Sequence, residues 1–179
     1  VFSFFLVFSL LFFLKPFEIS AKEEIVVRVP QDNAIIQEAI KLAAPNGTVL
    51  LSPGVYHQTN IGVYSGVTLK GEDVETTIIN GDNRTYYALN VNNKNDVVIR
   101  NLTVRNSFGF RLETSENVVV KNIISRNNEY YGIHIIENLK NGLIERNKIF
   151  NNLHGIYMSS DNNSAVIARN YIYKNTNFG

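Results

Sequence analysis

Several side chains that could bind a ligand or take part in a reaction recur at one position of a repeated segment. The position follows a recurring glycine and is predicted to face outward, and its residues are Asn90, Arg111, His134 and Tyr157. An amide, a guanidinium, an imidazole and a phenol can all form hydrogen bonds with hydroxyl groups. Two residues further along the repeats come Asn92, Glu113, Ile136 and Ser159. If the repeats stack, these residues form two neighbouring stripes on one face.

We predict that this face binds polysaccharide, because the step between stacked turns approximates the repeat of an extended sugar chain. The predicted substrate-binding residues, with roles in contact and charge pairing, are Arg111, Glu113, His134 and Tyr157. No residue is assigned as a general acid or base, so enzymatic activity stays open. The alternative is an ordinary solvated sheet face without a ligand.

A second stripe is basic. Its predicted column is Arg100, Lys121, Arg146 and Arg169, with a partial companion at Arg105, Arg126 and Lys174. Like charges at such a short step repel unless they are screened or paired, so the column favours an anionic partner such as a uronate-containing glycan. Neutralisation by Glu116, Glu129 and Glu145 is the alternative. Nucleic acid is not expected, because no aromatic stacking platform is interleaved with the cations.

Carboxylates that could hold a calcium ion are scattered. They are Asp82, Asp96, Glu113 and Glu116, and no Asp-x-Asp spacing occurs. A calcium-dependent lyase needs clustered carboxylates and a basic residue that abstracts a proton. Zinc and phosphate-loop signatures are also missing from the sequence. We therefore expect no metal and no cofactor.

The elements that position these residues are repeats. Asn101, Asn122, Asn147 and Asn170 recur at steps of 21, 25 and 23, and Gly109, Gly132, Gly155 and Gly179 at steps of 23, 23 and 24. Each repeat holds short β-branched runs broken by Asn, Ser and Gly, which is typical of strands and turns. One repeat cannot bury its own apolar face and must stack on its neighbours. This pattern predicts an all-β right-handed parallel β-helix over residues 61–179.

Columns of equivalent residues follow from counting outward from the repeated asparagine. Two columns are predicted to point into the core: Val98, Val119, Ile144 and Ile167, and Thr103, Ile124, Ile149 and Ile172. A second asparagine column is Asn106, Asn127, Asn152 and Asn175. Because an amide both donates and accepts, stacked asparagines can bond to one another. We interpret both asparagine columns as structural ladders, with ligand contact as the alternative.

Residues 22–60 carry a different pattern. A strand is predicted from Ile25 to Val29, followed by a helix from Ala34 to Ala44 with Asp32 or Asn33 as its cap. One face of this helix is apolar and consists of Ile36, Ala39, Ile40 and Ala43. An amphipathic helix directly before a solenoid is expected to cover the open end of its first turn.

This opening resembles the N-terminal part of the pectin-lyase-like superfamily. The resemblance rests on IIQEAIKLAAPNGTVLLSPGVYHQ, on GVTLKGED and on TIING. The string GIYMSSDNNSAVIARNYIYKN resembles β-helix units of the carbohydrate-binding and sugar-hydrolysis type, and also those of a periplasmic copper-accessory family. The resemblance implies the fold. It does not imply one activity, because the superfamily includes lyases, hydrolases, esterases, epimerases, adhesins and non-enzymatic members.

Catalytic motifs of that superfamily are incomplete here. Where pectin methylesterases have Gly-x-Tyr-x-Glu, this chain has Gly54, Tyr56 and Gln58. His154 lies in a Leu-His-Gly string similar to that of polygalacturonase-type hydrolases, but the preceding turn lacks their aspartate pair. A copper interpretation of His134, His154 and Met158 is the alternative, with Met158 expected in the core.

Residues 1–21 are predicted to be a signal peptide. The run VFSFFLVFSLLFFL is too short to span a membrane comfortably but suits the apolar region of a secretory signal, with an uncleaved anchor as the alternative. Export predicts a secreted, periplasmic or cell-surface protein without a membrane span after cleavage. The chain has no Cys, so stacking without disulfides must supply its stability. Further turns are expected beyond Gly179.

We therefore predict an exported β-helix protein that binds polysaccharide, with processing of the bound chain left open. The alternative is a non-catalytic cell-envelope or periplasmic accessory protein whose stack is a spacer or a docking surface, similar to the copper-accessory family.

Overall fold

The computed structural model describes residues 24–83, 85–159 and 164–177. One helix, α1 (Ile36–Ala43), and twenty strands form this part of the chain. In chain order the strands are β1 (Val26–Val29), β2 (Thr48–Leu51), β3 (Gly54–Tyr56), β4 (Ile61–Gly62), β5 (Thr68–Gly71), β6 (Thr77–Asn80), β7 (Leu89–Asn92), β8 (Val98–Arg100), β9 (Thr103–Arg105), β10 (Phe110–Glu113), β11 (Ser115–Glu116), β12 (Val119–Lys121), β13 (Ile124–Arg126), β14 (Tyr131–Ile135), β15 (Leu139–Lys140), β16 (Leu143–Glu145), β17 (Lys148–Phe150), β18 (His154–Met158), β19 (Val166–Ala168) and β20 (Tyr171–Tyr173).

The strands stack into three parallel sheets that form the sides of a coil. Sheet A has the order β1-β2-β5-β8-β12-β16-β19, sheet B has β3-β6-β9-β13-β17-β20, and sheet C has β4-β7-β10-β14-β18. A short fourth sheet pairs β11 with β15. Each winding of the coil passes through sheets A, B and C in turn. The predicted parallel β-helix is therefore confirmed.

The core lies inside the coil and is built from aligned aliphatic residues. In sheet A, Ile99, Val120 and Ile144 pair with one another and are fully buried. The predicted column beginning at Val98 and Val119 is wrong, because both residues lie on the outward side of the same strands. Their partner in the next winding is Leu143 rather than the predicted Ile144.

The second predicted inward column is correct for its first two residues and then loses register, as the first column does. Ile124 pairs with Thr103 as expected, and both are buried, but its partner in the next winding is Lys148. Ile149 instead pairs with Ser125. The cause is that Asn147 does not lie above Asn122: the Ile123 amide donates to Asn147 Oδ1 at 3.0 Å, which places Asn147 one position further along its winding.

Corners of the coil explain the abundance of asparagine. Asn101 and Asn122, between sheets A and B, have φ of 56° and 49°, and Asn106 and Asn127, between sheets B and C, both have 54°. Asparagine is several-fold enriched among the non-glycine residues that adopt this left-handed conformation. In the next two windings the equivalent position of the A–B corner is occupied by Arg146 and Arg169, and φ is 55° at each.

Asparagine ladders are present, as predicted, but their members differ. Asn122 Nδ2 donates to Asn101 Oδ1 at 2.9 Å, and the later pair is formed by Asn147 and Asn170, with 3.0 Å between Nδ2 and Oδ1. The second predicted column also divides. Its buried ladder is Ser107, Asn128, Asn152 and Asn175.

Helix α1 lies against the first winding. Its predicted apolar face is buried, and it packs against β1, β2 and β4. The predicted cap is wrong: Ile35 occupies the N-cap position, and the Ile36 amide donates to Gln58 Oε1 at 3.0 Å. Asn33 and Asp32 accept instead from the amides of Ile35 and Arg28. A glutamine from the next part of the chain therefore completes the helix terminus.

The predicted signal peptide lies outside the described residues, which begin at Glu24. Within the described ranges, no helix is long and apolar enough to cross a membrane.

Candidate functional site

Sheet C aligns the residues that the sequence places on one outward face. Arg111 pairs with Asn90 and with His134, and His134 pairs with Tyr157. Glu113 pairs with Asn92 in the second stripe. The structure thus brings Arg111, Glu113, His134 and Tyr157 together on the outer side of β10, β14 and β18.

Glycines before these strands let neighbouring windings approach closely. Gly109 has φ of 105°, and a Cβ there would collide with the carbonyl oxygen of Tyr131. A Cβ on Gly132 would collide with the Ile149 side chain and with the Gly155 carbonyl oxygen. The aromatic residue before Gly132 contacts the outer face, where the Tyr131 ring stacks on that of His134.

An aromatic cluster covers this face, with Tyr131 at its centre. We call it the sheet C cluster, and it consists of Tyr87, Tyr131, His134, His154 and Tyr157. The Tyr131 ring stacks on the His134 ring with 4.0 Å between centroids, and on the His154 ring with 5.5 Å. Its centroid lies 5.5 Å from that of Tyr157 and 6.4 Å from that of Tyr87. The cluster therefore spans several windings as one surface of π faces.

Sequence reasoning missed Tyr87, Tyr131 and His154 as members of this face. Strand periodicity places residue 131 on the same side as the inward Ile133, because alternate residues share a side. That alternation is not kept across Gly132, because the Tyr131 ring stacks on the outward His134 while Ile133 is buried. The available signal was an aromatic residue or histidine directly before a glycine, at Phe108, Tyr131 and His154.

His134 is the buried member of the cluster, and its ring is not on the accessible surface. Its residue is 8% exposed, and Nδ1 forms a hydrogen bond of 2.8 Å with the Tyr87 hydroxyl. Nε2 is buried and makes no hydrogen bond to the residues that the structure describes. Burial, the Arg111 guanidinium and then His154 lower the pKa of the His134 imidazole. The ring is therefore neutral at neutral pH.

Arg111 and Glu113 form an ion pair at the edge of the cluster. The distance from Arg111 Nη2 to Glu113 Oε2 is 2.5 Å, and both side chains are largely buried. The Arg111 guanidinium also lies 5.8 Å from the centroid of the Tyr87 ring, within cation–π distance. Burial raises the pKa of the Tyr87 and Tyr131 phenols, so both hydroxyls stay protonated and can donate.

A polar groove adjoins the aromatic surface at the corner between sheets B and C. Its cavity has a volume of about 400 Å³ and is lined by Asn83, Asn106, Ser107, Asn127, Asn128, Glu129 and Asn151. Next to Glu129, the Tyr130 ring packs edge-on against Phe108 with 4.7 Å between centroids. Tyr130 is 38% exposed. Amides and carboxylate thus line a groove that has an accessible aromatic pair at its border.

The predicted basic column is not a single column. Lys121 pairs with Arg100, but its partner in the next winding is Glu145, whose Oε1 lies 3.8 Å from Lys121 Nζ. Arg146 and Arg169 lie one position later, at the A–B corner. The companion column is also wrong beyond its first pair: Arg126 pairs with Arg105 and then with Phe150, and Lys174 lies at another corner.

The described residues contain no group of three His, Asp or Glu side chains that could hold a metal ion. Met158, predicted to be inward, pairs with Ile135 and is exposed in the last described strand of sheet C.

Residues 65–179, more than half of the chain, match the family model described as the right-handed beta helix region. Among solved structures, a 1,3-α-1,4-β-D-galactose-4-sulfate-3,6-anhydro-D-galactose-2-sulfate 4 galactohydrolase is similar, with 17% sequence identity and a TM-score of 0.43. The similarity covers 79% of this chain and 47% of that chain, so the chain spans about half the length of that structure. No curated protein sequence matches the chain significantly.

Proposed function

The chain belongs to the right-handed β-helix family, and from that premise we propose that the outward face of sheet C binds polysaccharide. The observation that carries the proposal is the sheet C cluster. Aromatic rings from several windings form one surface, with an arginine–glutamate pair at one edge and an amide-lined groove beside it.

Such a surface suits a sugar chain for two reasons. Aromatic faces carry partial negative charge and attract the weakly positive C–H groups on the flat side of a pyranose ring. Amide and carboxylate groups satisfy hydroxyls in both donor and acceptor roles. Rings spread over several windings extend the contact along a polymer rather than around one small molecule.

Binding is supported more directly than hydrolysis. Glycoside hydrolysis generally uses two carboxyl groups that flank the scissile bond. Glu113 is engaged by Arg111, and the neighbouring positions of its stripe among the described residues are Asn92, Ile136 and Ser159. We therefore place Arg111, Glu113, His134 and Tyr157 in binding and support of the aromatic surface, with no proton-transfer role.

Export is part of the proposal and rests on the sequence. The apolar run within residues 1–21 has the length of a secretory signal. Expressing the full chain and a version that lacks residues 1–21, then fractionating the host cells, tests it. Export of the full chain with retention of the shortened chain is the expected result, and equal retention of both would contradict it.

The binding proposal is tested on a glycan array with the full chain, followed by titration of the strongest glycan. Tyr130→Ala removes an accessible ring and is expected to weaken binding at least tenfold, because aromatic contacts often dominate interface energies. Tyr171→Ala is the matched control, since Tyr171 is 64% exposed on sheet B, away from the proposed face. The control is expected to bind as the wild type does.

Two outcomes would count against the proposal. Tyr130 borders the sheet C cluster, with 6.0 Å between its ring centroid and that of Tyr131. If Tyr130→Ala and Tyr171→Ala weaken binding equally, the surface formed by Tyr130 and the cluster is not the site. If the folded chain binds no glycan on the array, the accessory role as a spacer or docking surface becomes the better hypothesis. Arg111→Ala combined with His134→Ala separates support from contact: unchanged affinity in the folded variant would remove both residues from the face.

A further inference from the structure

We propose that the corner between sheets A and B is a second binding surface, which takes a linear anionic polysaccharide. The residues that define it are Arg100, Lys121, Arg146 and Arg169, and we call them the basic strip. Sheet C forms the third side of the coil, so the strip is separate from the aromatic face and goes beyond the function proposed for it.

The strip presents one cation in each of four consecutive windings. Arg100 and Lys121 are paired residues at the ends of β8 and β12. In the next two windings the cation moves one residue along, so that Arg146 follows Glu145 and Arg169 follows Ala168. Adjacent strands are about 4.8 Å apart. The positive charges therefore follow the coil axis in a row that shifts by one residue between Lys121 and Arg146.

Backbone conformation does not by itself explain why Arg146 and Arg169 are arginines. Both adopt φ of 55°, at the corner where the earlier windings have Asn101 and Asn122. Asparagine adopts this conformation more readily than a long side chain does. Arginine is thus the less favourable residue for the local fold, and strained positions of this kind concentrate where a side chain has a role in function.

Few opposite charges neutralise the strip. Glu145 lies 3.8 Å from Lys121. Among residues 24–83, 85–159 and 164–177, no ion pair involves Arg100, Arg146 or Arg169. Like charges at this spacing repel one another, although the whole chain has a formal charge of only +1. A polyanion along the strip would relieve that repulsion.

The geometry favours a polysaccharide over nucleic acid. Single-stranded nucleic acid is usually held by aromatic rings between the cations. Here an exposed ring, Tyr171, follows only the last cation, Arg169, and the aligned residues of the earlier windings are Thr103, Ile124 and Lys148. The anionic groups can be carboxylates or sulfates, because arginine binds both through paired hydrogen bonds. A row with one cation in each winding fits a chain with charge repeated along its length.

The test compares two double variants of the full chain with the same change in net charge. Arg146→Asn with Arg169→Asn removes two strip cations and keeps a residue suited to the corner. Lys41→Gln with Lys140→Gln removes two cations that lie outside the strip, on α1 and β15. Polygalacturonate provides the carboxylate probe and heparin the sulfate probe, each titrated by calorimetry at low and moderate salt.

We expect the Arg146 and Arg169 variant to bind at least one of the two probes about tenfold more weakly, with a shallower salt dependence. The lysine variant should stay within about twofold of the wild type. Equal weakening by both variants would overturn the proposal, because net charge alone would explain it. No binding of either probe by the wild type would overturn it as well.

Two further experiments distinguish this proposal from other partners for the strip and from the proposal for sheet C. Tighter binding of duplex DNA or of phosphatidylserine vesicles than of either polysaccharide, lost in the arginine variant, would assign the strip to another partner and contradict our proposal. Tyr130→Ala should leave binding at the strip unchanged. Failure of the sheet C face and failure of the strip are therefore distinguishable in the same set of proteins.

Discussion

The A–B corner is built in two ways in neighbouring windings. In the earlier windings Asn101 and Asn122 occupy the corner, with the left-handed backbone and partly or fully exposed side chains. In the later windings arginine occupies the corner, and asparagine lies one residue further along, with Asn147 only 2% exposed. The same residue type thus serves two purposes, which a repeat count alone does not separate.

The two arrangements differ in what the side chain does. Asn122 Nδ2 makes one exposed hydrogen bond, to Asn101 Oδ1. Asn147 Oδ1 accepts from the Ile123 amide, and Asn147 Nδ2 donates to the Val120 carbonyl and to Asn170 Oδ1. In the first arrangement the backbone preference of asparagine matters most. In the second, its amide satisfies buried main-chain groups that have no water to bind.

Replacing the buried asparagine should have the largest effect on stability. Asn147→Ala leaves the Ile123 amide and the Val120 carbonyl without their partner inside the coil, and we expect a loss of about 3 kcal/mol in the free energy of unfolding. Chemical denaturation followed by circular dichroism measures it. Asn147→Gly should be at least as damaging, and a loss below about 1 kcal/mol would show that the amide is not needed.

A substitution in the asparagine ladder at the B–C corner should have an intermediate effect on stability. Asn128 is buried and bonds to Ser107, Ser125 and Asn152. Asn128→Ser replaces the amide with a hydroxyl, as at Ser107 in the preceding winding, but the shorter side chain cannot span the same distances, so we expect a loss of about 2 kcal/mol. The same denaturation experiment checks it, and a neutral result would mean that a hydroxyl ladder can replace the amide ladder.

Exposed asparagine should respond to backbone geometry alone. Asn122→Ala places alanine in the left-handed conformation and is expected to cost about 1 kcal/mol. Asn122→Gly tolerates that conformation and should be neutral to within about 0.5 kcal/mol. Measured side by side with the two substitutions of Asn147, this pair sharpens the contrast. Equal losses of stability for alanine and glycine at position 122 would contradict the contrast between Asn122 and Asn147.

The smallest expected effect is a gain. Arg146→Asn restores at the later corner the residue found at the earlier one, and we expect about 0.5 kcal/mol of added stability. A thermal unfolding curve at matched salt concentration measures the shift. Destabilisation by this substitution would show that the Arg146 side chain makes a contact that outweighs its backbone strain.

The period and the asparagine content were sufficient to predict the coil and the sheet C alignment, and the helical spacing of apolar residues was sufficient to predict the buried face of α1. Counting from the repeated asparagine failed between the second and third windings, because Asn122 and Asn147 look equivalent in sequence but occupy different positions. The cap from Gln58 depends on contact between a helix and a later loop, which local pattern does not encode. Tyr131 was missed because strand alternation is not kept across Gly132, where the neighbouring winding lies too close for a side chain.

The corner residues Asn101, Asn122, Arg146 and Arg169 are separated by 21, 24 and 23 positions, yet β8, β12, β16 and β19 remain in register. Length differences are therefore absorbed in the segments outside the paired strands. Insertions in the segments between the strands can accumulate without disturbing the paired strands. A solenoid of this kind can change what its edges recognise while the stack that supports them stays the same.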